Sequence, residues 1–148
     1  MIRSVQNSIG ESKTQLFICP DDITAIRLKV KLSQLGLNSN ISLKVPPYSE
    51  ETNILIENIA LEVQNHAFDI VWIGIGTPKQ DQIATRLSSC YSHSTFICIG
   101  AALEFYTDLK PEANRALQKL GLEWFFRLMT EPRRLFRRYF FYSLPGLF

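Results

Sequence analysis

The run DIVWIGI at residues 69–75 carries no polar side chain after Asp69. A strand with one face in water alternates apolar and polar residues, whereas a strand that is apolar on both parities must be covered on both faces. That is the condition inside a parallel sheet flanked by helices. The stretch therefore predicts an α/β fold with this strand in the interior of its sheet. The neighbouring segments agree. TQLFICP (residues 14–20) and ISLKV (residues 41–45) read as further strands, and TFICIG (residues 95–100) as a fourth. Between them lie helical patterns. Asp21 is placed to cap a helix with Ile23, Ile26 and Val30 on one face, ended by Gly36. After Pro46 and Pro47, Ser49 is placed to cap a second helix whose stripe is Ile56, Ile59, Ala60 and Val63. A third helix is expected from Pro78 to Ser89, another from Pro111, and two more near the end. Strands and helices in alternation call for a Rossmann-like parallel sheet with right-handed crossovers.

With 148 residues, 46% hydrophobic and 20% charged, the chain is long enough to bury a core and too apolar to stay disordered. Its longest apolar runs, such as residues 96–103, fall far short of the roughly 20 residues that cross a bilayer. The first residues lack the apolar core of a secretory signal, so a cytoplasmic location is expected. Cys19, Cys90 and Cys98 then read as buried small hydrophobes. No two of them have zinc-ligand spacing, and His66 and His93 stand alone, so no metal site is expected. Charge is uneven. Residues 123–148 hold five arginines (Arg127, Arg133, Arg134, Arg137, Arg138) against Glu123 and Glu131, which leaves the rest of a chain of net charge +2 slightly acidic. The same tail concentrates Trp124, Phe125, Phe126, Phe136, Tyr139 and Phe140. The domain reading is an α/β ligand-binding body at residues 1–121 and a helical, Arg- and aromatic-rich appendage at residues 122–148.

In open parallel sheets ligands sit beyond the carboxyl ends of the strands. GTPKQD, at residues 76–81, lies at such an end. Thr77, Pro78 and Gln80 have the spacing of a capping box that starts the next helix. Capping does not require Gly74 and Gly76 together, nor Lys79 beside Gln80 and Asp81. Glycines let a ligand approach the backbone, and helix N–H groups favour a phosphate or hydroxyl. The spacing matches neither a Walker A loop nor GxGxxG, so it names no nucleotide. CIGAALEF (residues 98–105) follows the last strand in the same way and brings Gly100, Ala101 and Glu104 to that end. Arg134, Arg137 and Arg138 fall on one helical face at spacings of three and four. They suit either a solvated basic surface or bidentate contact with phosphate oxygens.

DIVWIGIGTPKQD, CIGAALEF and LGLEWFFRLMTEPRRLFRRYF resemble, in order and spacing, the signature blocks of the WecG/TagA/CpsF glycosyltransferases. The resemblance implies transfer of an N-acetylmannosamine-type sugar from UDP to a polyprenyl-diphosphate-linked acceptor at the cytoplasmic membrane face. It implies no metal and no cofactor beyond the UDP-sugar substrate, with a role in surface polysaccharide or wall teichoic acid synthesis. It assigns the donor site to Gly74, Gly76, Thr77, Pro78, Lys79, Gln80, Asp81, Gly100, Ala101 and Glu104, and catalysis to Gln80, Arg127, Arg134, Arg137 and Arg138. Members of the family are longer at the N-terminus and carry their catalytic aspartate there; nothing in residues 1–14 replaces it. Glu104, Asp108, Asn114, Ala116 and Cys19 stand where the family usually has Asp, Gly, Pro, Trp and Gly. Two expectations follow. The chain by itself transfers sugar poorly, as a non-catalytic UDP-sugar-binding or membrane-docking module would, needing a separate polypeptide that supplies the base. Its tail lies on the membrane surface. A nucleic-acid partner is not expected, because the basic charge is confined to the tail.

Overall fold

Four strands form one sheet: β1 (Gln15–Ile18), β2 (Ile41–Lys44), β3 (Ile70–Ile73) and β4 (Thr95–Cys98). The order across it is β2-β1-β3-β4, and every pairing is parallel. In the computed structural model the described residues are 13–37, 40–47, 51–111, 119–130 and 132. The chain divides into two compact units, Met1–Lys110 and Pro111–Phe148. The first holds the sheet, with helices α1 (Asp22–Gln34), α2 (Thr52–His66), α3 (Lys79–Cys90) and α4 (Ala102–Tyr106); the second holds α5 (Glu123–Thr130). The alternation of strands and helices and the all-parallel sheet are those expected of a Rossmann-like α/β fold.

As its apolar sequence requires, β3 lies inside the sheet, between β1 and β4. Val71 and Ile73 face one side, where Leu16 and Ile18 of β1 join Leu55, Ile59 and Val63 of α2 and Ile83 and Leu87 of α3. Phe17 and Trp72 face the other side, with Leu28 and Leu32 of α1 and Leu103 of α4. The two rings stack at 5.8 Å and 12°, and the Trp72 indole N–H donates to Gln15 Oε1 at 2.8 Å, which explains a fully buried glutamine at the strand start. Helices lie on opposite faces because the crossover from β1 to β2 runs one way and the next two run the other. With one handedness throughout, that reversal puts α1 on one side and α2 and α3 on the other. The reversal falls between β1 and β3.

Local details depart from expectation for identifiable reasons. Asp21 does cap α1, its Oδ1 accepting from the Thr24 N–H at 2.7 Å. The buried face of α1 is nevertheless Thr24, Leu28 and Leu32, while Ile23, Ile26 and Val30 are 59%, 63% and 51% exposed. Both stripes have helical spacing, and packing against Phe17 and Trp72 selects the leucine one. In α2 the expected stripe does face the core, Ile59 and Val63 buried and Ile56 and Ala60 packed beside them, and Leu55 joins it. The N-cap of α2 is Glu51, whose side chain makes no capping bond, rather than Ser49, which lies outside the described residues. Of the cysteines only Cys19 is buried; Cys90 and Cys98 are exposed. Cys98 ends an edge strand and Cys90 a helix, so neither has a second layer to cover it. The residues that would begin a helix at Pro111 fall largely outside the described set, as do Arg134, Arg137 and Arg138; Arg127 lies in α5.

Candidate functional site

Beyond the carboxyl ends of β3 and β4, two loops lie side by side, residues 74–78 leading into α3 and residues 99–101 leading into α4. Gly74 prolongs β3, its N–H donating to the Ile18 carbonyl at 2.9 Å. A β-carbon there would stand 2.5 Å from Leu103 Cδ1 and 3.3 Å from the Ile18 oxygen. The space above Gly74 is thus filled by a leucine, and the residue is buried. Gly76 differs. It has φ +85 and nothing within 4 Å of where a side chain would begin, so its glycine is a backbone requirement with open space around it. The two glycines look alike in the sequence and serve different ends.

The capping box expected of Thr77, Pro78 and Gln80 is not formed. The helix begins at Lys79 with Pro78 as its N-cap, in helical geometry after a cis Thr77–Pro78 bond, and no side chain caps it. Thr77 Oγ1 instead accepts from the Gln80 side-chain amide, Nε2, at 3.2 Å. The other end of that amide, Oε1, accepts from the Gly100 N–H at 2.9 Å. Gln80 is only 6% exposed. Its side chain therefore joins the two loops from beneath.

Asp81 and Glu104 are the carboxylates that these two segments contribute; Asp21, exposed, follows β1 at the same end of the sheet. Glu104 is half-buried and ion-paired with Lys110 at 3.1 Å, while its carbonyl accepts from the N–H groups of Leu109 and Lys110. Asp81 is exposed. It lies against Cys98, whose thiol is pushed upward in pKa by partial burial first and by the Asp81 charge and hydrogen bond after it, and which also donates to the Gln80 carbonyl at 3.5 Å. Cys19, in the core below Leu103, is pushed up to about 12 by burial and then by Asp21, so it is a neutral thiol rather than a nucleophile. From Asp81 a cleft of about 590 Å³ runs between α3 and the start of α2, lined by Gln82, Thr85 and Arg86 on one side and Thr52 and Asn53 on the other.

Sequence patterning missed α4 and what holds it. No helix is expected between the strand at residues 95–100 and Pro111, yet Ala102–Tyr106 is a short helix. Cations of α1 bind its trailing carbonyls: Lys31 Nζ donates to the Tyr106 carbonyl at 2.6 Å and pairs with Asp108 at 2.6 Å, and Arg27 donates to the Thr107 carbonyl at 3.3 Å. Positive charge at a helix C-terminus meets the exposed carbonyl dipoles. The signal was present only as two basic residues one turn apart, on a helix about 80 residues away. Among the site residues singled out from sequence, the structure joins Gly76, Thr77 and Gly100 through Gln80, and sets Gly74 against Leu103, the neighbour of Glu104 in α4. Those of the tail belong to the second unit.

A doubly wound parallel sheet with two glycine-bearing loops at its strand ends defines a Rossmann-like α/β protein, a fold in which ligands are held beyond the carboxyl edge of the sheet. Residues 13–148 match the Glycosyl transferase WecG/TagA/CpsF family, and the chain belongs to that family. No solved structure matches it.

Proposed function

We propose that this glycosyltransferase-family chain takes an N-acetylmannosamine-type sugar from UDP and passes it to a polyprenyl-diphosphate-linked acceptor, at the inner face of the cell membrane. The observation that carries the site is the pair of joined loops at residues 74–81 and 100–104. They offer the open backbone of Gly76 and lie beside a cleft whose volume suits a nucleotide-sugar. A sugar hydroxyl attacking an anomeric carbon needs a group to accept its proton. Of the carboxylates that these two segments contribute, Glu104 is occupied by Lys110, and Asp81, which is exposed, is assigned to take that proton. The departing diphosphate needs positive charge, a task that the family resemblance gives to Arg127, Arg134, Arg137 and Arg138. Gln80, buried and engaged at both ends of its amide, supports the site from within.

Among the described residues no helix is long and apolar enough to cross a membrane. Surface attachment through the tail accords with a lipid-linked acceptor. The experiment is direct. Calorimetry with UDP should give a dissociation constant in the millimolar range or tighter, and UDP release from UDP-N-acetylmannosamine should depend on a lipid-diphosphate-N-acetylglucosamine analogue. Binding without acceptor-dependent release would make the chain a donor-binding module. No binding at millimolar UDP would remove the reading altogether.

A further inference from the structure

Gln80 makes polar contacts on four atoms, and each leads to one of the two loops or to the strand beneath them. Its N–H donates to the Gly76 carbonyl at 3.0 Å, Nε2 to Thr77 Oγ1, Oε1 accepts from the Gly100 N–H, and its carbonyl accepts from the Cys98 thiol. Gly100 has φ +50 at the point where β4 turns into α4, and its N–H there depends on Gln80 rather than on a ladder partner. A primary amide is the group that satisfies this geometry, since it carries a donor and an acceptor side by side on one plane. Asparagine would fall one methylene short.

We propose that Gln80 is a positioning residue: its amide clasps the loop at residues 76–78 to the loop at residues 99–101, so that the two form one rigid rim and the Gly100–Ala101 backbone is preset for the ligand. The clasp acts through those backbones and does not itself touch the sugar nucleotide. The ligand half of this inference rests on the function proposed above; the coupling of the loops does not.

The two halves are read separately. In ligand-free protein, Gln80→Met, which keeps the length and loses both bonds, should speed amide hydrogen exchange at Gly100 by about tenfold, the effect of losing one net hydrogen bond. Exchange at Ile83 and Leu87 of α3 should stay as in wild type. Gln80→Glu keeps the acceptor for Gly100, and the Thr77 hydroxyl can turn to donate to it, so protection at Gly100 should persist within about threefold. UDP affinity should follow the same order, weakened by about tenfold in Gln80→Met and rescued in Gln80→Glu. Unchanged Gly100 exchange in Gln80→Met overturns the clasp. Equal loss of UDP affinity in both variants, with Gly100 still protected in Gln80→Glu, overturns the positioning role in favour of direct contact. Wild-type protein that ignores UDP sinks the nucleotide reading alone, and the exchange comparison still decides the coupling. Should Gln80→Met fail to fold, Thr77→Val removes the Nε2 partner and leaves Gln80 in place. It should loosen Gly100 by about threefold, and no change there would count against the clasp.

Discussion

Gly74 and Leu103 are 29 positions apart in sequence and in contact in space, and that contact sets what residue 74 can be. An added methyl meets the leucine tip first and the Ile18 carbonyl behind it, so the leucine must move into a filled core. Gly74→Ala should lower stability by about 1–3 kcal/mol, the usual cost of overpacking. Leu103→Ala, which empties a fully buried site, should cost about 2–5 kcal/mol. In the double variant the methyl finds the vacated space, so the alanine at 74 should cost far less than it does alone. Urea unfolding of the four proteins measures this; equal costs of Gly74→Ala in both backgrounds would show that some other neighbour excludes the side chain. At this scale the sequence is least legible. A glycine in a motif says that something approaches the backbone and does not say whether it is a ligand or a leucine. The motif spacing of Thr77 and Gln80 likewise fits a capping box, and only the position of Gly100 shows that the amide points elsewhere.

Helix α1 is apolar on two arcs, and which arc is buried has a measurable consequence. Leu28→Ala should cost about 2–5 kcal/mol, because Leu28 is fully enclosed beside Phe17 and Trp72. Ile26→Lys should change stability by about 0.5 kcal/mol or less, since the side chain it replaces already faces solvent. Thermal or denaturant unfolding of the two variants checks this, and the opposite ranking would mean that the helix is rotated by roughly half a turn about its axis. The strands were easier to read than the helices. Burial on both faces leaves no polar position in β3, so its interior place follows from composition alone. The orientation of α1 does not, because periodicity reports the existence of a stripe and cannot choose between two. Helix α4 escaped for another reason: at five residues it is too short to show a period, and it is held by Arg27 and Lys31 rather than by its own pattern.

Over the whole molecule, the family blocks divide between the two units, the loops in the first and the arginines in the second. Near an anionic surface each basic residue contributes roughly 1 kcal/mol, so the five arginines of residues 123–148 are expected to give peripheral binding. Removing residues 132–148 should abolish co-sedimentation with anionic vesicles in low salt. Unchanged sedimentation would assign the tail to another partner. The fold class was legible because alternating strands and helices admit few topologies; the assembly of the site was not, because it depends on pairs of residues brought together only after the sheet has formed. Those pairs also limit how the protein can be altered by descent or by design. Gly74 with Leu103, and Gln80 with Gly100, each join the loop after β3 to the loop after β4. A chimaera that takes one loop from a relative and keeps the other breaks both matches at once, whereas one that takes residues 74–104 as a single block carries both partners of each pair and should fold.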